Sequence, residues 1–447
     1  MKSLVKEIDF FDIFDAYPHQ KEFFKAFFSG DYRYFMDMLH RRAGKDAGAF
    51  NVAWLYASIV PGNYVYTLPK IGQAKNVVWE GKDLDGRRWI NQIPKHLIKS
   101  INNSESKIYF RNGSILHITG ADSLMNSHLG SNLKGIIISE FHKTHPGVWD
   151  YVRPILKRSN GWAMFLFTAF GKGHSYRLFE NNKGRDGWFC RKLTVADTRD
   201  NDGNYIFSPE QIQEERESGM DEDLIQQEYY CSSDAAIKGT FFAEQIAQAY
   251  KEQRIRSSIE VYPNVAVNTS WDLGARDTNS IWFFQYVNNQ FHYFYQHDKN
   301  YGSIEYYMQL LKDIQKRFGF KKYGHHFMPH DVSQTEWTSG KTRRQLLMEK
   351  GLRITPVPRL KVIERVQCAR TMFKNVVIDD VNCKAGLEAL TVTRSKYDEY
   401  AKAFTADEVH DWSSHPAAAF EYGLVGWLDS YNKPQLNTVK SYARAMR

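Results

Sequence analysis

The feature that most limits how this chain can fold is a series of short apolar runs set between helical patterns. Residues 64–68 (YVYTL), 114–118 (SILHI), 135–139 (GIIIS) and 164–168 (MFLFT) are rich in β-branched and aromatic side chains, as strands buried on both faces require. Residues 34–39 read as a further strand, 20–28 (QKEFFKAFF) carry aromatics at helical spacing, and 46–60 read as a helix. Strands alternating with helices predict an α/β domain with a largely parallel sheet over residues 1–200. With 447 residues, the chain has room for about two to four domains.

Residues 197–256 turn polar, with DTRDNDGN, a charged helical pattern over 209–230 and KGTFF at 238–242. Beyond a boundary expected near residue 255, residues 265–271 read as a strand, 280–287 and 290–296 as a hairpin about Asn288-Asn289, and 304–318 as a helix. A strand at 326–329, helical patterns at 343–350 and 362–373, and a last helix over 413–428 follow. The expected division is a first domain over 1–200, a connector over 201–255, a second α/β domain over 256–430 and a basic tail over 431–447.

Charge divides along the same line. The chain carries 59 Lys and Arg against 51 Asp and Glu, a net +8, of which residues 1–255 hold +2 and residues 256–447 hold +6. A polyanionic partner is therefore expected at the second half. The four cysteines, Cys190, Cys231, Cys368 and Cys383, are too scattered for a metal or redox pair and too few to staple so long a chain, which implies a reducing compartment. The opening residues carry acids inside their apolar stretch, unlike a secretory signal, and the longest mostly apolar run, 49–60, falls short of the roughly 20 residues that span a bilayer. A soluble, intracellular protein without a membrane partner is expected.

Met38-Leu39-His40-Arg41-Arg42-Ala43-Gly44-Lys45-Asp46 lies between an apolar strand and an apolar helix, the setting of a loop that cradles phosphates with backbone N–H groups and a Lys. Downstream, the strand at 133–139 ends in Ser139-Glu140, and the run 165–167 ends in Thr168 before the turn Ala169-Phe170-Gly171. All three features stand at carboxyl ends of strands, where parallel α/β sheets bind ligands.

In the second half, Ser270-Trp271-Asp272-Leu273-Gly274 closes one strand and Met328-Pro329-His330-Asp331 another, while His410-Asp411-Trp412-Ser413-Ser414-His415 precedes the last helix. Carboxylates so placed can hold two Mg²⁺ or Mn²⁺ ions that clamp the attacking and leaving oxygens of a phosphodiester. Nine basic residues, Lys341, Arg343, Arg344, Lys350, Arg353, Arg359, Lys361, Arg365 and Arg370, lie nearby against only Glu349 and Glu364, a run suited to sequence-independent DNA phosphate contacts.

These residues together resemble the large subunit of tailed-phage terminases, motors that package DNA into capsids and cut it, and the resemblance spans essentially the whole chain. Tyr17-Pro18-His19-Gln20 looks like the family's adenine-contacting Q motif, Arg41 to Lys45 like its deviant Walker A, residues 136–141 like Walker B and 168–171 like the coupling motif. Residues 129–135 and 149–156 are similar to family text around Walker B. The resemblance implies a RecA/ASCE-like P-loop ATPase domain followed by an RNase H-like nuclease domain. In the first, Tyr17 and Gln20 contact ATP, Arg41, Arg42, Ala43, Gly44, Lys45, Asp46 and Thr168 line the nucleotide, Glu140 orients the hydrolytic water, and Arg41 or Arg42 stabilises the transferring phosphoryl group. In the second, Asp272, Asp331, Asp411 and His415 are catalytic, the three acids hold Mg²⁺ or Mn²⁺, and Glu305 or Asp277 assists.

The sequence departs from the family at Asp46 (usually a hydroxyl residue), Ser139 (usually Asp), Ala169 (often Pro) and Ala418 (usually an acid). A carboxylate at 46 can hold Mg²⁺ directly or through water, so the metal-holding charge is expected to have moved there from 139. The resemblance further implies double-stranded DNA, a portal protein and a small terminase subunit as partners, a ring of five on the procapsid, and the host cytoplasm as location. Two other readings stay open: a DNA-translocating ATPase whose second domain binds without cutting, and a non-enzymatic packaging adaptor with a degenerate nucleotide site.

Overall fold

The computed structural model describes residues 15–83, 86–124, 133–171, 173–233, 239–273, 278–300, 302–333, 341–398 and 403–432. The chain divides into two compact units, Met1–Lys238 and Gly239–Arg447. Among the described residues no helix is long and apolar enough to cross a membrane.

The first unit is built on eight strands: β1 (Tyr34–Leu39), β2 (Asn63–Leu68), β3 (Ile98–Asn102), β4 (Lys107–Phe110), β5 (Ile115–Gly120), β6 (Leu133–Ser139), β7 (Trp162–Phe167) and β8 (Trp188–Leu193). Their order is β3-β4-β5-β2-β6-β7-β1-β8, parallel except for the meander β3-β4-β5. The strand β7 stands between β1 and β6, so the phosphate-loop strand and the Glu140 strand are next-but-one neighbours, the RecA/ASCE arrangement. Helices α1 (Pro18–Ser29), α2 (Lys45–Ile59), α3 (Gly147–Ser159) and α4 (His174–Asn182) accompany this sheet. The interior of α2, from Gly48 to Leu55, is buried residue after residue, which is why its sequence is apolar all round instead of striped.

At the centre of β1, Asp37 is almost wholly buried and paired with Arg191 of β8, at 2.6 Å from Nε and 3.1 Å from Nη2. The same guanidinium donates to the His19 carbonyl of α1 (2.6 Å), so one ion pair ties α1 to the sheet. Removing one partner strands the other charge in the core. Asp37→Ala is therefore expected to lower the stability of the first unit by about 3 to 5 kcal/mol, with Asp37→Leu/Arg191→Met recovering most of it, as read by denaturant unfolding.

The connector expected over 201–255 is divided between the units. Two short surface helices, α5 (Pro209–Glu217) and α6 (Glu222–Glu228), pack with Val195 and Tyr229 in a small cluster of the first unit, through Ile212 and Ile225. In contrast, Phe241, Phe242, Ile246 and Ala249, around helix α7 (Ala243–Lys251), are buried in the second unit's core. The polarity of the stretch reflects exposed helix faces, and its few apolar residues belong to two different cores.

The second unit has the strands β9 (Ile255–Arg256), β10 (Val267–Asp272), β11 (Thr278–Val287), β12 (Gln290–Asn300), β13 (Tyr323–Met328), β14 (Ile354–Pro356) and β15 (Val376–Asp379), in the order β14-β13-β10-β11-β12-β15-β9. The first three long strands form an antiparallel meander, and β10 continues in parallel to β13 and β14, which is the RNase H-like order. Asn288 (φ 51°) and Asn289 (φ 62°) make the tight turn of the meander, both left-handed as a two-residue hairpin prefers. A separate hairpin, β16 (Ser395–Asp398) and β17 (Ala403–Glu408), stands apart from this sheet. Helices α8 (Ile304–Phe318), α9 (Arg343–Glu349), α10 (Val362–Met372), α11 (Lys384–Val392) and α12 (Ser414–Asn432) complete the unit. The last helix comes close to the sheet through glycines: a Cβ at Gly423 would meet the Ser270 hydroxyl at 2.8 Å, and one at Gly426 would run into the Phe327 ring.

Candidate functional site

Between β1 and α2, Arg42 (φ 67°) and Gly44 (φ 75°) are both left-handed and turn the loop so that α2 begins at the carboxyl end of the sheet. A Cβ at Gly44 would stand 2.8 Å from Gln20 Nε2, so this position needs glycine twice over. Gln20 donates that amide to the Gly44 carbonyl (2.8 Å) and accepts from the Tyr17 N–H (2.8 Å), while the His19 ring donates to the Ala43 carbonyl (2.9 Å). Buried carbonyls of the loop need donors, and this segment supplies them. Gln20 thus braces the loop from the side of α1. Tyr17 is half-buried against the His19 ring, and Arg41 and Arg42 are exposed.

Lys45 opens α2 with its side chain only 9% exposed, its ammonium 3.5 Å from Glu140 Oε1 and 3.4 Å from the Thr168 hydroxyl. Burial works against its charge, but Glu140 and Asp46 outweigh burial and hold its pKa above the ordinary lysine value. Glu140 follows β6 in a left-handed conformation (φ 50°), uncommon for a residue with a side chain. Its other oxygen receives Lys143 at 2.8 Å, with His142 Nε2 at 3.7 Å. Burial would raise its pKa; Lys143, His142 and Lys45 together hold it well below the usual carboxylate range, so it is ionised. Asp46 accepts hydrogen bonds on Oδ1 from the Tyr66 hydroxyl (2.8 Å) and from the Ser139 hydroxyl. Positions 46 and 139 therefore meet at one point, with the carboxylate on the loop side.

In the second unit, Asp272 ends β10 and receives His415 Nδ1 at 2.6 Å. The parallel pairing of Ser270 with Phe327 brings the end of β13, and the turn carrying Asp331, alongside the end of β10. Asp331 Oδ1 is buried without a hydrogen-bond partner. Asp411 behaves otherwise. Its Oδ1 accepts from the Ser413 N–H (2.9 Å) and hydroxyl (2.6 Å), and its Oδ2 is 3.2 Å from Arg394 Nη1, so the carboxylate is committed to the start of α12 and to a cation of the protein. Glu305 is exposed on the first turn of α8 and stays out of the cluster, and Asp277 lies outside the described residues. Among the described residues, no group of three or more His, Cys, Asp or Glu side chains is gathered about one ion position. The donors fit a hard divalent cation all the same: they are carboxylate oxygens and a histidine, one of those oxygens buried and unsatisfied.

Sequence reasoning missed two further acids. Glu421, fully buried on α12, receives Arg365 Nε of α10 at 2.9 Å, and Glu408 of β17 accepts from the Thr393 hydroxyl at 2.8 Å. An isolated acid in the apolar run PAAAFEYGLVGWL was the available signal for the first; nothing in the text of β17 marked the second. The basic run also thins: Arg365 serves Glu421, Arg370 donates to the Phe241 and Thr240 carbonyls (2.5 and 3.1 Å), and Lys341 pairs with Glu349 (2.7 Å). Arg344, Lys350, Arg353, Arg359 and Lys361 remain exposed. Tail residues Lys433, Lys440, Arg444 and Arg447, and residues 129–132, lie outside the described residues.

Burial, opposed by Arg365 and reinforced by Asp411 and then Asp272 at Glu408, and by Glu408 and then Asp272 at Glu421, raises Glu408 to a pKa of about 7 and Glu421 to about 8. Burial also lowers His40 and His326 to about 4. Two linkage effects of opposite sign follow. The histidines bind fewer protons when folded, so stability rises with pH up to 6.5, their ordinary value. The two acids bind more protons when folded, so stability falls from 4.5 up to about 8. Above pH 6.5 only the fall remains. The metal-free second unit is expected to melt at progressively lower temperature between pH 6.5 and about 8, with a flatter slope in Glu421→Gln, as calorimetry would record.

No protein-family model matches the chain, and comparison with curated proteins returns no match. Among solved structures, the large terminase of a thermophilic bacteriophage in complex with ADP aligns over 89% of this chain and 94% of its own, at 15% identity and a TM-score of 0.39. The ATPase domain of the large terminase of Thermus phage P74-26 aligns over 50% of this chain and 96% of its own (17% identity, TM-score 0.37). The large terminase nuclease from thermophilic phage G20c, solved with bound cobalt, covers 41% and 96% (13% identity, TM-score 0.30). The chain is similar to phage large terminases. At these identities and scores the likeness carries no residue role across.

Proposed function

We propose that this chain is an ATP-driven motor that packages double-stranded viral DNA, its first unit hydrolysing ATP and its second cutting the DNA with Mg²⁺ or Mn²⁺. The observation that carries this reading is the convergence of Lys45, Glu140 and Thr168 at the carboxyl ends of β1, β6 and β7. Phosphoryl transfer asks a protein mainly for positioning and for charge aimed at the phosphates. Lys45 meets the γ-phosphate charge at the start of α2. As it turns to the phosphate, Glu140 stays anchored by Lys143 through its other oxygen and keeps an ionised carboxylate to orient water. Mg²⁺, when bound, neutralises the phosphate oxygens, and Asp46 is the group that would hold it.

In the second unit, a divalent ion when bound activates the water that attacks the phosphodiester. Asp272 and Asp331 are the residues that would hold it, and His415 fixes the Asp272 carboxylate. Exposed Arg344, Lys350, Arg353, Arg359 and Lys361 supply phosphate contacts, with an affinity for duplex DNA that falls steeply with salt. A portal, a small terminase subunit and a ring of five belong to the same reading, in the host cytoplasm. ATPase and nuclease assays run in parallel on the wild type, Lys45→Ala and Asp272→Asn test it, each substitution abolishing one activity and sparing the other.

Asp46 gives a finer test. With its carboxylate removed in Asp46→Asn, the Mg²⁺ concentration for half-maximal ATP turnover is expected to rise about ten- to a hundredfold. Ser139→Asp on that background should bring it back, since both side chains reach one point. Unchanged Mg²⁺ dependence in Asp46→Asn refutes the relocated ligand.

A second reading, a translocating ATPase whose second unit binds DNA without cutting, is favoured by the commitment of Asp411 to Ser413 and Arg394 together with Ala418. Metal-dependent cleavage of circular DNA without ATP excludes it.

A further inference from the structure

Asp46 stands in the first turn of α2, where the helix dipole by itself favours a carboxylate. The dipole does not call for what surrounds that carboxylate. Two hydroxyls from neighbouring parallel strands converge on one of its oxygens: Tyr66 of β2 donates to Oδ1 at 2.8 Å, and Ser139 at the end of β6 donates to the same atom. Both donor residues are wholly buried in the sheet. An oxygen that accepts two such bonds has its lone pairs filled, so Oδ2 is the one left to meet an ion.

The tyrosine reaches this point because of where its ring lies. Phe50 follows Asp46 by four residues, one turn along the same face of α2, and the Tyr66 ring packs against it with 6.5 Å between centroids. The hydroxyl at the far end of the ring then falls on Asp46. A buried phenol needs an acceptor, but a carbonyl would serve as well as a carboxylate. Here the acceptor is the acid beside Lys45, whose ammonium is turned to Glu140 and Thr168. Among the described residues, then, Asp46 is held by neutral hydroxyls, whereas Asp411 is held by the Arg394 cation. Neutral donors fix a carboxylate without cancelling the charge that a cation would seek.

We propose that Tyr66 is a positioning residue of the nucleotide site: with Ser139, its hydroxyl orients the Asp46 carboxylate so that Oδ2 meets the divalent ion that accompanies the nucleotide. The proposal rests on the ATPase reading above and on Asp46 as the group toward that ion. A side chain already locked between two buried strands has little rotamer freedom left to lose when an ion binds, which a surface aspartate would have to give up. The phenol acts through Asp46 and not on the ion itself.

The ADP-dependent part of Mn²⁺ binding to the full chain, followed by loss of the free-ion EPR signal with and without ADP, tests this; taking the difference sets aside any ion bound at Asp272. Tyr66→Phe keeps the ring against Phe50 and removes only the hydroxyl. It is expected to weaken that binding about tenfold, while ADP affinity without metal stays as in the wild type. Ser139→Ala is expected to do the same. On an Asp46→Asn background, Tyr66→Phe should change nothing further, since the carboxylate it orients is already gone. Wild-type Mn²⁺ binding in Tyr66→Phe, an equal loss of ADP affinity without metal, or a further loss on the Asp46→Asn background would overturn the proposal and leave the bond a part of the framework. Asp46→Asn separates this from failure of the parent reading. If Asp46→Asn loses Mn²⁺ while Tyr66→Phe keeps it, only the Tyr66 assignment falls; if Asp46→Asn binds as the wild type does, or the wild type shows no ADP-dependent binding, the parent reading falls with it.

Discussion

Lys45→Ala is expected to reduce ATP turnover by about a thousandfold, roughly 4 kcal/mol of transition-state stabilisation, while leaving the fold and DNA cleavage intact. The size follows from where the ammonium sits. It is nearly sealed from water, between Glu140 Oε1 and the Thr168 hydroxyl, and a charge of that kind interacts far more strongly with phosphate than a solvated one does. The fold survives because Glu140 keeps Lys143 at 2.8 Å and is not left as a bare buried anion. Steady-state phosphate release measures the loss. Turnover within about tenfold of the wild type would sink the catalytic role of Lys45.

Much of the first unit was legible because buried parallel strands announce themselves. The runs 64–68, 135–139 and 164–168 fall within β2, β6 and β7 or one residue past them, and the loop after β1 lies where the strand-loop-helix pattern put it. The meander β3-β4 was not foreseen, since KIYF and IKSIN are half-exposed and lack the apolar density of the central strands. The site was legible where function demands a residue type at a strand end: Lys45, Glu140 and Thr168 do converge, and His415 does meet Asp272. It was illegible where a side chain's partner comes from a distant element. Nothing in the local text tells that Gln20 would brace Gly44, that Arg365 would leave a basic run to cover Glu421, or that Asp411 would be consumed by Arg394. Those outcomes depend on which donors and acceptors end up buried together, and only the packed structure decides that.

Asp272→Asn is expected to abolish metal-dependent DNA cleavage, by at least about a thousandfold, while ATP hydrolysis continues. The amide keeps the shape of the carboxylate but neither its charge nor its strength as a ligand for a hard cation. The stability change should run the other way. Asp272 adds to the raised pKa of both Glu408 and Glu421, so in the metal-free chain it is one of several carboxylates that repel each other in a poorly hydrated place. Neutralising it relieves that repulsion, and the metal-free variant should melt at or above the wild-type temperature at about pH 8, where the two acids are most costly, with the difference shrinking toward about pH 5. His415 then loses its carboxylate partner, an offset limited by the hydrogen bond that an amide oxygen still accepts. A structural carboxylate would lose activity and stability together. A carboxylate kept for an ion loses activity and gains stability, and a melting curve beside a plasmid-cleavage assay distinguishes the two. If Asp272→Asn melts well below the wild type and still cuts, the acid is part of the framework and the cutting site lies elsewhere.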